Sequence, residues 1–182
     1  VASEGATRPV AAGMGHLLEE EDALREQILR DAVDIATAMA KLLPQATQAE
    51  MKLETFGSAA GVCTQWHRDR YLARSIVTYV GNAGTEWAED GGVSLWHLQR
   101  GGTNAQRVAG DGWVRSAKVG DVLLIKGMQY PTPSSSILEA VLARSGIGPA
   151  SNGRGLVHKS PEPSFHADAS VVRRLCLKVD FV

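Results

Sequence analysis

The stretch Val62-Cys63-Thr64-Gln65-Trp66-His67-Arg68-Asp69 reads as a β-strand with a histidine and a carboxylate two residues apart. Residues i and i+2 of a strand share a face, so the His67 imidazole and the Asp69 carboxylate converge on one point. Cys63 and Gln65 fall on that face as well. A second histidine from elsewhere in the chain would complete a two-histidine, one-carboxylate set. Such a set holds a divalent metal, typically Fe(II), and leaves coordination positions open.

The 182 residues are 44% hydrophobic and 21% charged, the composition of one globular domain spanning 1–182 with a sizeable core. A formal net charge of -1 gives no electrostatic case for nucleic acid or an acidic membrane surface. No apolar run reaches the ~18 residues of a membrane span. The two cysteines, Cys63 and Cys176, lack C-x-x-C spacing. A reducing, cytoplasmic setting is expected rather than a disulfide framework.

Residues 1–15 are small, polar and Gly/Pro-punctuated, and are expected as a flexible tail. Residues 16–48 form a helical layer: between Glu19 and Leu43, the residues Leu24, Ile28, Ala32, Ile35, Met39 and Leu42 trace one apolar stripe. Glu19 to Asp22 load the helix start with negative charge, Lys41 sits near its end, and Pro44 stops it. From residue 49 onward, short β-like runs at 51–56, 62–69, 74–80, 92–98, 122–125, 155–158 and 174–182 alternate with glycine-rich turns. That pattern predicts a mainly β sandwich or barrel with an N-terminal helix. An insertion at about 129–154 is rich in Pro, Ser and Gly, carries a short helical pattern at Ile137–Arg144, and is a candidate lid.

The third ligand is sought among His16, His97, His158 and His166. His16 lies near the helix start, and His97 has no acidic or histidine neighbour two residues away. His158 ends the run Gly155-Leu156-Val157-His158, 89 residues after Asp69. The Gly120-Asp121 turn and the apolar run Val122–Ile125 precede it. An alternating run, Arg174-Leu175-Cys176-Leu177-Lys178-Val179-Asp180-Phe181, follows. There Arg174, Cys176 and Lys178 share one face, and Leu175, Leu177, Val179 and Phe181 face the helical layer. His166 is the rival ligand, but Pro161 and Pro163 separate it from a clear strand. Cys63 raises the prospect of zinc. Regular strand spacing, however, puts it ~13 Å from His67, too far for one ion, so both cysteines are read as buried apolar residues.

The order of His67, Asp69, the Gly-Asp strand, His158 and a late Arg174 resembles the double-stranded β-helix (jelly-roll, cupin-like) oxygenases of the prolyl-hydroxylase-like group. This resemblance covers about Phe56 to Val182. It implies Fe(II) held by His67, Asp69 and His158, and 2-oxoglutarate anchored through its far carboxylate by Arg174. It also implies help from a hydroxyl on the 74–80 strand, Thr78 or Tyr79. The expected activity is hydroxylation of a small molecule or protein side chain, with Arg68, Arg74 and Trp87 as candidate substrate contacts. The segments Trp66-His67-Arg68-Asp69, Thr78-Tyr79-Val80-Gly81, Gly84-Thr85-Glu86-Trp87, Lys126-Gly127 and His158-Lys159-Ser160-Pro161 further resemble a bacterial domain family without a settled activity. That family is associated with zinc-homeostasis gene neighbourhoods. Two alternatives therefore stand beside the oxygenase: a non-catalytic zinc-handling protein on the same fold, and a cupin-like metalloenzyme that does not use 2-oxoglutarate.

Overall fold

The structure, a computed structural model, describes residues 8–57, 62–130 and 155–182, with side chains described from Glu20 onward. The 131–154 stretch, including the helical pattern at Ile137–Arg144, lies outside the described residues.

Helix α1 runs from Arg8 to Leu42. It therefore takes in residues 8–15, which the sequence placed in a loose tail. Its core stripe is Ala32, Ile35 and Met39, continued by Leu43 just past the helix end. Leu24 and Leu42, expected in that stripe, are 37% and 62% exposed. The chain turns after Leu42, so Leu43 takes the inward position. No described helix is long and apolar enough to cross a membrane.

Seven strands follow among the described residues: β1 Ala49–Phe56, β2 Ala73–Val80, β3 Glu86–Ala88, β4 Val114–Ser116, β5 Val122–Lys126, β6 His158–Lys159 and β7 Arg174–Phe181. They form a four-stranded antiparallel sheet, order β1-β7-β2-β5, and a three-stranded antiparallel sheet, order β4-β3-β6. No closed barrel forms among the described residues.

α1 packs on one face of the larger sheet. Leu177, Val179 and Phe181 of β7, with Ala73 and Val77 of β2, meet Ala32, Ile35, Met39 and Leu43. Each large apolar side chain buried here contributes ~1.5–3 kcal/mol. The alternation read in the terminal run therefore places Leu177, Val179 and Phe181 on the helix, while Leu175, expected with them, is outside this core. Tyr79 reaches the same face, and its hydroxyl donates to Asp31 Oδ2 of α1 at 2.7 Å. Burial, aided by that acceptor, pushes the Tyr79 hydroxyl above its usual range.

One expectation for the middle of the chain is corrected. The 92–98 run is not a strand: Leu95–Arg100 is a short helix, α2, followed by α3 at Asn104–Arg107. Gly101, at φ 79°, ends α2 in the left-handed region and returns its N–H to the His97 carbonyl. Trp66, Ala88, Val108 and Val157 form a second, smaller core against this layer.

Candidate metal centre

The 62–69 segment is not a regular strand either. It makes one antiparallel bridge, His67 opposite His158 of β6. His67 N–H donates to the His158 carbonyl at 3.0 Å, and His158 N–H returns to the His67 carbonyl at 2.9 Å. Residues opposed in this way project side chains to the same face. The two imidazole rings accordingly lie with centroids 4.4 Å apart. Asp69, two residues on, keeps the face expected from extended chain. Its Oδ1 is 3.8 Å from His67 Nε2, and its Oδ2 is 3.3 Å from His158 Nε2. One ligand atom from each of His67, Asp69 and His158 falls within 4.8 Å of the others. Without a full strand, the i, i+2 relation survives because only three residues need be extended.

Each ring is turned by its own backbone. His67 Nδ1 lies 2.8 Å from the Gln65 carbonyl, and His158 Nδ1 lies 3.0 Å from the Leu156 carbonyl. A carbonyl can only accept, so both Nδ1 atoms carry a proton, and both Nε2 atoms face Asp69. Burial, with His158 alongside, lowers the His67 pKa and favours its neutral, ligating form. Burial alone would raise the Asp69 carboxyl. His158, Arg74 and His67 together outweigh it and hold the group below its usual range.

Asp69 has a support chain behind it. Arg74 Nη1 is 2.8 Å from Asp69 Oδ2. The same guanidinium pairs with Asp180 through Nε to Oδ1, and through Nη2 to Oδ2 at 2.9 Å. Arg74, expected as a substrate contact, lines the cleft and bridges two carboxylates. Such partners orient a ligating carboxylate.

The cluster opens on a cleft that takes residues from both sheets. Its lining includes His67, His158, Thr85, Ile76, Cys176 and Arg174. Arg174 Nη2 donates to Thr78 Oγ1 at 3.4 Å. Its Nε and Nη1 are buried without a hydrogen-bond partner among the described residues. Burial lowers its pKa, outweighing the nearby Cys176 and Glu86. Thr78 thus stands beside Arg174, while Tyr79 points to α1 and leaves the site.

The remaining residues separate clearly. Neither Arg68 nor Trp87 lines this cleft. Trp87 instead sits opposite His158 in the β3–β6 ladder. β3 falls outside the β-like runs expected from the sequence. His166 is exposed in a turn, with its N–H bonded to the Ser170 carbonyl. His97 bonds Ser94 Oγ at 2.8 Å in α2. Cys63 is exposed, not buried, and its Sγ is 3.4 Å from His67 Nδ1. The irregular backbone removes the ~13 Å spacing of a strand. The thiol nevertheless meets the ring on its protonated side, away from Asp69. Cys176 is buried, as expected.

Sequence signals for Asp180, and for Arg107, whose Nη1 donates to the Trp66 carbonyl at 2.6 Å, were missed. A carboxylate inside an apolar alternation, Val179-Asp180-Phe181, was the available clue to the first. Comparison with known proteins gives one family model, described as "Protein of unknown function (DUF1826)", matching residues 3–180. No curated protein and no solved structure matches the chain.

Proposed function

We propose that this chain, which belongs to the DUF1826 family of proteins of unknown function, is an Fe(II)- and 2-oxoglutarate-dependent dioxygenase of the hydroxylase type. One observation carries the reading. A His67–Asp69–His158 cluster with both Nε2 atoms turned toward the carboxylate shares a cleft with a buried arginine whose Nε and Nη1 have no partner among the described residues. Two imidazole nitrogens and one carboxylate oxygen suit Fe(II) with open positions. A buried guanidinium fork suits a carboxylate.

The strand pairing supports the finer fold reading, a double-stranded β-helix. β1 pairs with β7, the His67 bridge with β6, β2 with β5, and β3 with β4. These pairs are nested in the chain, like a long hairpin ribbon wound through two sheets.

Fe(II) with 2-oxoglutarate supplies the oxidation: one oxygen atom of O2 goes to succinate as CO2 leaves, and the other enters a substrate C–H bond as hydroxyl. The chain's own residues do the rest. The Gln65 and Leu156 carbonyls fix the orientation of the two imidazoles, with Nε2 toward Asp69. Arg74 fixes Asp69. Arg174, with Thr78, neutralises and orients the far carboxylate of 2-oxoglutarate, and Ile76 and Phe56 contribute apolar surface to a largely polar cleft wall. The substrate is a small molecule or a protein side chain.

The test is calorimetric binding of 2-oxoglutarate to Fe(II)-loaded protein under nitrogen, followed by succinate measurement in air. Binding and succinate formation are expected. Metal-loaded protein that binds no 2-oxoglutarate contradicts the reading, and zinc retained through purification alongside that result favours a metal-handling protein instead.

A further inference from the structure

His67 belongs to a segment with a single ladder bridge, yet its ring orientation depends on one backbone carbonyl, that of Gln65. The peptide that carries this carbonyl also carries the Trp66 N–H. A trans peptide points these groups in opposite directions, so whatever holds the N–H aims the carbonyl.

Asn104 of α3 holds it. Trp66 N–H donates to Asn104 Oδ1 at 3.0 Å, and Asn104 Nδ2 donates to the Thr64 carbonyl at 2.8 Å. One side chain thus supplies the acceptor and donor that a neighbouring strand would. The next peptide is fixed by Arg107, whose Nη1 donates to the Trp66 carbonyl at 2.6 Å. The other end of that peptide is the His67 N–H, bonded to His158. α3 is itself anchored. Thr103 and Gln106 form a capping box, and the Arg107 carbonyl accepts the Ser94 N–H at 2.8 Å. Arg107 is 8% exposed, so its reach to Trp66 is made away from solvent.

We infer that Asn104 and Arg107 are positioning residues for His67: they clamp the Thr64–His67 backbone and thereby lock the ring in its Nδ1-protonated form with Nε2 toward Asp69. The inference rests on His67 being a metal ligand only for its consequence in affinity. The clamp itself is a property of the metal-free protein.

The test compares wild type, Asn104→Leu and Asn104→Asp. Ring 15N shifts from long-range 1H–15N NMR of the metal-free proteins at mildly alkaline pH give the His67 tautomer. Chelator competition gives the Fe(II) or Zn(II) affinity. Asn104→Leu removes both bonds at similar volume. It is expected to mix the tautomers and weaken metal binding by about 10- to 100-fold. Asn104→Asp keeps the acceptor for Trp66 N–H and is expected to restore the single tautomer. If Asn104→Leu does not fold, Asn104→Ala takes its place. A folded Leu or Ala variant with an unchanged tautomer and unchanged affinity overturns the inference. Wild type that holds the Nδ1–H tautomer, loses it on Asn104→Leu, yet binds no divalent metal supports the clamp and contradicts the metal reading.

Discussion

Arg74 and Arg174 face the same cleft in opposite electrostatic states. Arg74 lies between Asp69 and Asp180, whereas Arg174 has one long bond to Thr78 and no carboxylate partner among the described residues. Their substitutions should separate accordingly. Arg174→Ala should leave metal binding intact and weaken 2-oxoglutarate binding by about 10- to 100-fold, the worth of a charge-assisted pair. Titration of metal-loaded variant and wild type checks this, and equal affinities would point to a cupin-like enzyme that does not use 2-oxoglutarate. Arg74→Met should cost about 3–5 kcal/mol, because Asp180 is 1% exposed and would be left without its partner. Urea unfolding of metal-free protein measures that loss. Gly81 adds a steric probe. Its φ is 137°, and a Cβ there would lie 2.6 Å from Arg174 Cγ. Gly81→Ala should therefore displace Arg174 and weaken 2-oxoglutarate more than metal.

At the scale of elements, what could be read from sequence depended on length and period. The terminal run was legible because eight alternating residues put Leu177, Val179 and Phe181 on α1 and Arg174, Cys176 and Lys178 in the cleft. The metal segment was legible in its chemistry but not its conformation: His67 and Asp69 converge, while the ladder expected around them reduces to one bridge. The bonds that replace the ladder come from Asn104 and Arg107, some forty positions later, and leave no local trace. Leu95–Arg100 was misread because six residues are too few to tell a 3.6 period from a strand. β3, three residues long, was hidden for the same reason. The choice between Thr78 and Tyr79 needed the helix, since Tyr79 is claimed by Asp31. Tyr79→Phe should therefore lower stability by about 1 kcal/mol without changing 2-oxoglutarate affinity. Thermal unfolding alongside calorimetry distinguishes the two effects.

For the whole molecule, the cluster joins distant parts of the chain at the smaller sheet's edge, while Arg74 ties Asp69 to β7 of the larger sheet through Asp180. Metal should therefore stabilise the fold as a ligand of the native state. Saturation at 100 times the dissociation constant adds about 2.7 kcal/mol. That gain should raise the unfolding temperature in wild type and vanish in His158→Ala. The most direct measurement of the central claim is anomalous scattering from crystals grown with Fe(II) under nitrogen. The account predicts a single ion within about 2.0–2.2 Å of His67 Nε2, His158 Nε2 and an Asp69 carboxylate oxygen. An ion bound elsewhere, or an Asp69 carboxylate still paired to Arg74 with no ion beside it at saturating metal, would contradict it.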